Sequence, residues 1–209
     1  MLRTAMPFRE VQDGTFRLEE QNRQITLLHT GIGMVNTAWT LGRWTQLQPD
    51  FDKALNIGIA GSYRRDWGLG TVVQCTSDCF AEMGASSPEG FLDMKQLGFP
   101  IMEWAESPIY NSLKNPDPWP LALPLARAIT VNQVQGEIAG ITTMQQQWQP
   151  EVETMEGAAF FQAMLRLGKP FAAIRSISNY VEPRNRESWK IGLALHNLTE
   201  AFVEWWKTQ

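Results

Sequence analysis

Two spacings of apolar residues divide the chain into short alternating runs and longer helical ones. Phe16 to Glu19 and Gln24 to His29 read as two strands, with Gln21-Asn22 at the turn between them. Thr30-Gly31-Ile32-Gly33 breaks the second strand, and Met34 to Leu47 then follows the helical period, with Val35, Ala38 and Leu41 at helix spacing. Ala54 to Ile59 is a short apolar run that suits a strand buried on both faces. Ala60-Gly61-Ser62 ends it, and Thr71 to Thr76 supplies another strand. Met1 to Thr4 reads as an unusually short first strand.

Residues from Ser77 to about Pro120 are rich in Pro, Gly, Ser and Asp and read as long loops. Regularity returns with a strand at Ala128 to Val131 and a helix from Met155 to Leu167 closed by Gly168. Phe171 to Ile177 is apolar enough for a sheet interior. The last helix is expected from near Arg186 to Trp206, with Ile191, Leu195, Leu198 and Phe202 on one face. Strands alternating with helices predict an α/β fold around a largely parallel sheet. Ligands of such sheets bind beyond the carboxyl ends of the strands. Three polar turns qualify for that position: Gly31 to Gly33, Ala60 to Ser62, and Ser178-Asn179. A single domain over 1–209 accommodates all of this.

Composition narrows the function. Hydrophobic residues make up 44% and charged residues 19%, as in an ordinary soluble domain. A formal charge of -4 argues against a nucleic-acid binder. No apolar run approaches the ~18 residues of a membrane span, and no signal peptide is visible at the N-terminus. Cys75 and Cys79 form neither a disulfide framework nor a zinc set, and His29 and His196 are far from them in sequence. The expectation is a cytoplasmic protein without metal or cofactor.

Taken singly, the glycine turns say little. Gly31-Ile32-Gly33 lacks the third glycine of a dinucleotide fingerprint, since Asn36 stands there. Ala60-Gly61 lets a flat ligand approach the backbone, or simply serves a tight turn. Three elements taken together are more specific. They are Gly31-Ile32-Gly33; Asn56-Ile57-Gly58-Ile59-Ala60-Gly61; and Val152-Glu153-Thr154-Met155-Glu156-Gly157 followed by Ile174-Arg175-Ser176-Ile177-Ser178-Asn179. In this order and spacing they resemble the nucleoside phosphorylase and methylthioadenosine nucleosidase superfamily. Glu153 to Phe160 and Ser176 to Arg186 look most like its futalosine hydrolase family. The resemblance implies a three-layer α/β/α phosphorylase-like fold with a mixed, largely parallel central sheet. It also implies a homo-oligomer, a dimer or larger, that cleaves a purine nucleoside with water and releases hypoxanthine.

The same resemblance implies roles for individual residues. Glu156 matches the carboxylate that accepts from ribose hydroxyls, and Met155 a side chain packed under the sugar. Negative charge there suits an oxocarbenium-like transition state, although a carboxylate in a first helical turn is also favoured by the helix dipole. Glu10 matches the carboxylate that orients the attacking water; an ordinary helix-start residue is the alternative. Ala60, Gly61 and Ser178 belong to the base and sugar turns. Asn179 stands where adenine-specific members carry Asp. Its amide donates a hydrogen bond without delivering a proton, which fits a 6-oxopurine presenting O6 and N7 as acceptors. Ile32 and Trp189 align with apolar positions around the nucleoside tail, and Arg184 or Arg186 is placed to meet a carboxylate on that tail, or is solvated. Arg175 either supports Glu10 or serves as a buried structural partner. Val134 occupies the region where relatives place an aromatic residue over the base. Two rival readings follow: a nucleosidase acting on methylthioadenosine, adenosylhomocysteine or aminodeoxyfutalosine, and a nucleoside-binding protein without turnover.

Overall fold

The computed structural model describes residues 1–12, 14–20, 22–104 and 107–208, with Trp104 described by its backbone alone. Among the described residues there are six α-helices: α1 (Leu2–Ala5), α2 (Met34–Leu47), α3 (Met94–Leu97), α4 (Ile138–Trp148), α5 (Gly157–Leu167) and α6 (Ile191–Lys207). The strands are β1 (Arg9–Gln12), β2 (Thr15–Glu20), β3 (Arg23–Leu28), β4 (Ala54–Ser62), β5 (Val72–Cys79), β6 (Gly84–Ser87), β7 (Gly90–Asp93), β8 (Met102–Trp104), β9 (Ser107–Ile109), β10 (Ser112–Lys114), β11 (Leu125–Thr130), β12 (Val152–Thr154) and β13 (Phe171–Tyr180).

The central sheet has the order β10-β5-β11-β12-β4-β13, and β13 also pairs with β5, so five of its strands close into a ring. The sheet is mixed. The pairs β5–β11, β11–β12 and β4–β13 are parallel, while β5–β10, β4–β12 and β5–β13 are antiparallel. β13 lies at the centre of this arrangement, and its residues from Phe171 to Ser178 are all buried. That explains its run of apolar and small residues, broken only by Arg175: a strand covered on both faces has no solvent side to mark with alternating polar positions.

α5 supports one face of the sheet. Phe160, Phe161 and Phe171 pack edge to face there, the last two with ring centroids 4.9 Å apart at 78°, and truncating one such ring costs about 3–5 kcal/mol. α5 stops at Gly168, whose φ of +61° ends the helix in the left-handed conformation. α2 packs against α5 on the same side. Across the sheet, α6 lays Ala194, Leu198, Phe202 and Trp206 inward, completing the three layers.

Several expectations change. Residues 2–5 form a helical turn rather than a first strand; Leu2 and Met6 pack against the apolar face of α6, which outweighs any strand preference in so short a segment. The stretch from Ser77 to Pro120 is not plain loop but contains the small hairpins β6–β7 and β8–β9, as well as β10. α4 was not expected from the pattern, since Gln145 to Gln147 dilute its apolar face. The last helix is interrupted: a 3-10 turn at Arg186–Ser188 precedes α6. At the expected β2–β3 turn, Gln21 lies outside the described residues and Asn22 has a φ of +65°.

Candidate active site

The floor of the site is set by an irregularity between β4 and β13. These strands run in parallel register as far as Ala60 and Ile177, then slip so that Asn179 pairs with Gly61. The extra residue is Ser178. Its hydroxyl lies 3.2 Å from Ala60 O and 2.7 Å from Asn179 Oδ1, and its carbonyl accepts from the Lys190 N–H at 2.8 Å. Asn179 Nδ2 donates to Tyr180 O at 3.0 Å, which leaves one amide hydrogen for a ligand. A Cβ on Gly61 would lie 3.2 Å from Asn179 Nδ2 and 3.0 Å from Val181 Cγ2. Glycine lets the Asn179 amide lie across this strand without either side chain having to give way.

On its other edge Gly61 pairs with Glu153 of β12, which leads directly to Met155 and Glu156, both half-buried. Glu156 is the N-cap of α5, yet its side chain makes no capping bond. Two threonines supply the acceptors instead. Thr154 Oγ1 accepts from Gly157 N–H at 3.2 Å and Thr130 Oγ1 from Ala158 N–H at 2.8 Å. The Glu156 carboxylate is thus free to face outward, where Gly33 N–H donates to its Oε1 at 2.9 Å. Among the described residues no donor takes its Oε2, so one full oxygen remains for a hydroxylated ligand.

Glu153 holds a neighbouring loop. Its Oε2 accepts from Tyr63 OH at 2.9 Å and its Oε1 from Gln135 N–H at 3.2 Å. Burial pushes its carboxyl up to about 7, and Glu82 adds to this, against the two hydrogen bonds. It also raises the Tyr63 hydroxyl above its ordinary range. Beyond this loop Arg184 N–H donates to Gly136 O at 3.1 Å, and the Arg184 guanidinium sits 5.9 Å from the Trp189 ring centroid.

Asp78 lies beneath the threonine pair, 2% exposed, and accepts from Thr130 Oγ1 and from Cys79 N–H. Burial pushes its carboxyl up to about 7, opposed by Thr130, the Arg175 guanidinium and the Cys79 amide; Glu156 pushes it further up. Burial likewise lifts the Cys75 thiol to about 12 and raises Cys79, so neither cysteine is a thiolate nucleophile at neutral pH. Among the described residues no group of His, Cys, Asp and Glu is arranged to hold a metal ion.

The structure therefore brings together Ala60, Gly61, Ser178 and Asn179, joins Glu156 to the Gly31–Gly33 turn, and sets Arg184 over Trp189. Ile32 stands exposed at the rim of that turn. Three expected residues fall elsewhere. Glu10 is exposed on β1, paired with Phe16 in the separate three-stranded sheet β1-β2-β3, and no hydrogen bond or ion pair joins it to Glu156, Asn179 or Arg175. Its segment extends as a hairpin strand of that separate sheet and is not a strand of the central one. Arg175 is 2% exposed and donates to Asn56 O at 3.1 Å, to Ile174 O at 2.9 Å and to Asn56 Oδ1. It faces the start of β4, not its ligand end, because Asn56 offers it acceptors there. Arg186 is exposed in the 3-10 turn. Sequence reasoning missed Thr130, Thr154, Asp78, Tyr63 and Glu153; the pattern does not single out Asp78 or Thr130, since β5 also carries Gln74, Thr76 and Ser77 and β11 carries Arg127.

The chain belongs to the phosphorylase superfamily, whose profile it matches over residues 4–207. Within that superfamily it groups with the futalosine hydrolases. It is 33% identical to the futalosine hydrolase of Thermus thermophilus over 181 residues, which is 83% of this chain and 77% of that one. It is 29% identical to that of Streptomyces coelicolor over 160 residues, 72% of this chain and 63% of that one. Against the latter, and against the Acidothermus cellulolyticus enzyme with 59% covered, the chain spans less than two thirds of the relative's length. The fold is shared with the methylthioadenosine/S-adenosylhomocysteine nucleosidase of Neisseria meningitidis in complex with methylthio-immucillin-A (TM-score 0.77, 19% identity, 100% of this chain and 93% of that one). It is also shared with native futalosine hydrolase of Helicobacter pylori (TM-score 0.74, 17% identity, 97% and 89%).

Proposed function

We propose that this protein hydrolyses the N-glycosidic bond of futalosine, releasing hypoxanthine. The observation that carries the reading is the pairing of an outward carboxylate with an amide at the base turn: Glu156, held by Gly33, and Asn179, held by Ser178. Glu156 Oε2 accepts from the ribose hydroxyls and places negative charge beside a sugar that becomes cationic as the bond breaks. The remaining Asn179 amide hydrogen is donated to the edge of a 6-oxopurine, stabilising the departing base without protonating it; water supplies the hydroxyl that bonds to the sugar and the proton that the base takes. Met155 packs under the sugar. Trp189 and Arg184 meet the aromatic carboxylate of the substrate tail by stacking and by charge. Glu10 enters this reading as the water-orienting carboxylate on family resemblance alone, and Glu10→Gln decides it: retained turnover removes Glu10 from the mechanism.

The test is chromatography of the products formed from futalosine and from its amino analogue, with and without phosphate. Hypoxanthine released from futalosine without phosphate supports the proposal. A strict phosphate requirement makes the protein a phosphorylase, and preferential adenine release from the amino analogue or methylthioadenosine makes it an adenine nucleosidase.

A second copy of the chain is part of the proposal. Ile32, Val35 and Trp39 are 74%, 79% and 70% exposed; Val35 and Trp39 share one face of α2 at i,i+4 spacing, and Ile32 precedes that helix in the Gly33 turn. An apolar strip of this kind is typical of a subunit contact. Light scattering is expected to report a dimer or larger, and Val35→Glu to shift it toward monomer; a monomeric wild type overturns this part. No helix among the described residues is long and apolar enough to cross a membrane, and the proposed setting is the cytoplasm.

A further inference from the structure

Asp78 ends up beneath the start of α5 because β5 carries it there, paired with the buried Leu113 of β10 and within reach of Thr130 at the end of β11. Its Oδ1 accepts from Thr130 Oγ1 at 2.9 Å and from Cys79 N–H at 2.8 Å. Its Oδ2 packs against Gly157 so closely that a Cβ there would overlap it. The direction of every hydrogen bond above it follows. Thr130 has one hydroxyl hydrogen, which Asp78 takes. The Thr130 oxygen must then accept, and it does so from Ala158 N–H at 2.8 Å and from the Thr154 hydroxyl 3.1 Å away. Thr154 in turn accepts from Gly157 N–H at 3.2 Å. Oδ1 keeps its acceptor role in either protonation state, since a proton on Oδ2 leaves it a carbonyl oxygen.

Gly157 and Ala158 are the first residues of α5, and their amides are among those a helix cannot satisfy internally. An N-cap side chain ordinarily takes such amides, and the N-cap here is Glu156. We propose that Asp78 is a positioning residue: through Thr130 and Thr154 it caps α5 in place of Glu156, leaving the Glu156 carboxylate directed at Gly33 and the ribose. This rests on reading Glu156 as the ribose-binding carboxylate. Without the relay, Glu156 turns back onto its own helix and the sugar loses its acceptor.

The experiment follows hypoxanthine release from futalosine, and the melting temperature, for Asp78→Ala, Asp78→Asn, Thr130→Val and Thr130→Ser. Each is also made in a Glu156→Gln background. Asp78→Ala and Thr130→Val are expected to lower kcat/KM on the order of 10- to 100-fold, the scale of a misplaced contact. Asp78→Asn and Thr130→Ser, which keep the acceptor and the hydroxyl, recover most of it. In the Glu156→Gln background Asp78→Ala is expected to lower kcat/KM no further while still lowering the melting temperature, because its kinetic effect runs through Glu156. An equal loss in both backgrounds, or wild-type kinetics for Thr130→Val, overturns the proposal. If Asp78→Ala does not fold, the Thr130 pair carries the same test. A wild-type protein that releases no base overturns the reading of Glu156 and this proposal together, an outcome distinct from either of the others.

Discussion

The backbone N–H of Gly33 donates to Glu156 Oε1 across 2.9 Å, tying together two turns separated by 123 residues of chain. Gly33 holds a φ of +92°, a conformation that side-chain-bearing residues rarely adopt. The contact fixes one oxygen of the carboxylate and so determines where the other points.

Replacing Glu156 with Gln is expected to reduce kcat/KM by about 10²- to 10³-fold, the scale of losing one preorganised electrostatic contact. Gln keeps an oxygen for Gly33 but presents amide hydrogens to the ribose and removes the negative charge. The melting temperature should move little, because the side chain is only half-buried and does not cap α5. Steady-state rates together with a thermal melt check this; near-wild-type turnover removes Glu156 from the reaction.

Asn179→Asp tests the base. A carboxylate in place of the amide repels O6 of hypoxanthine, whereas its protonated form both donates to N7 and accepts from the amino group of adenine. The ratio of kcat/KM for the amino analogue over futalosine is expected to rise, by about 10-fold if one hydrogen bond of about 1.4 kcal/mol changes hands. An unchanged ratio shows that Asn179 does not read the base.

Much of this site was legible in the sequence because its turns are local. Gly31 to Gly33, Ala60-Gly61 and Ser178-Asn179 each follow an apolar run, and a strand end is where a ligand turn belongs. The order of motifs then carried Glu156. What could not be read is what depends on distant partners. The choice of Asn56 as the Arg175 acceptor, and of Tyr63 as the Glu153 donor, is made across 119 and 90 residues. The place of Glu10 depends on distant pairing too: β1 joins β2 in a separate sheet and not the central one, which its local string does not announce. The helix α4 was hidden by its glutamines, and the turn at residues 2–5 by its length, too short for periodicity to show.

Gly61→Ala places a methyl 3.0 Å from Val181 Cγ2 and 3.2 Å from Asn179 Nδ2. One of the two must give way, and Asn179, with its half-buried amide, is the freer. Catalysis is therefore expected to fall by about 10-fold or more, with a stability loss of only about 1–3 kcal/mol from overpacking. Adding Val181→Ala should recover the melting temperature without recovering turnover, because Asn179 is still displaced. Joint recovery of both would mean that Gly61 serves packing alone.

Glu153 gives the fold a pH dependence of definite sign. Burial pushes its carboxyl up to about 7, while in the unfolded chain a glutamate releases its proton near its ordinary pKa of about 4.3. Between those values the native state binds more protons than the unfolded state. Stability must therefore fall as pH rises through this window and level off above about 7. Glu153→Gln removes the titration but can still accept from Gln135 N–H and donate to the Tyr63 oxygen. The wild-type melting temperature is expected to fall between about pH 5 and about pH 8, with a shallower fall for the variant and a crossing that leaves the variant the more stable at the alkaline end. Some slope should survive in the variant, since Asp78 is raised to about 7 in the same direction. Thermal melts across a pH series measure both slopes. Identical slopes would show that the Glu153 proton is not what the fold responds to, and that its bonds to Tyr63 and Gln135 outweigh burial.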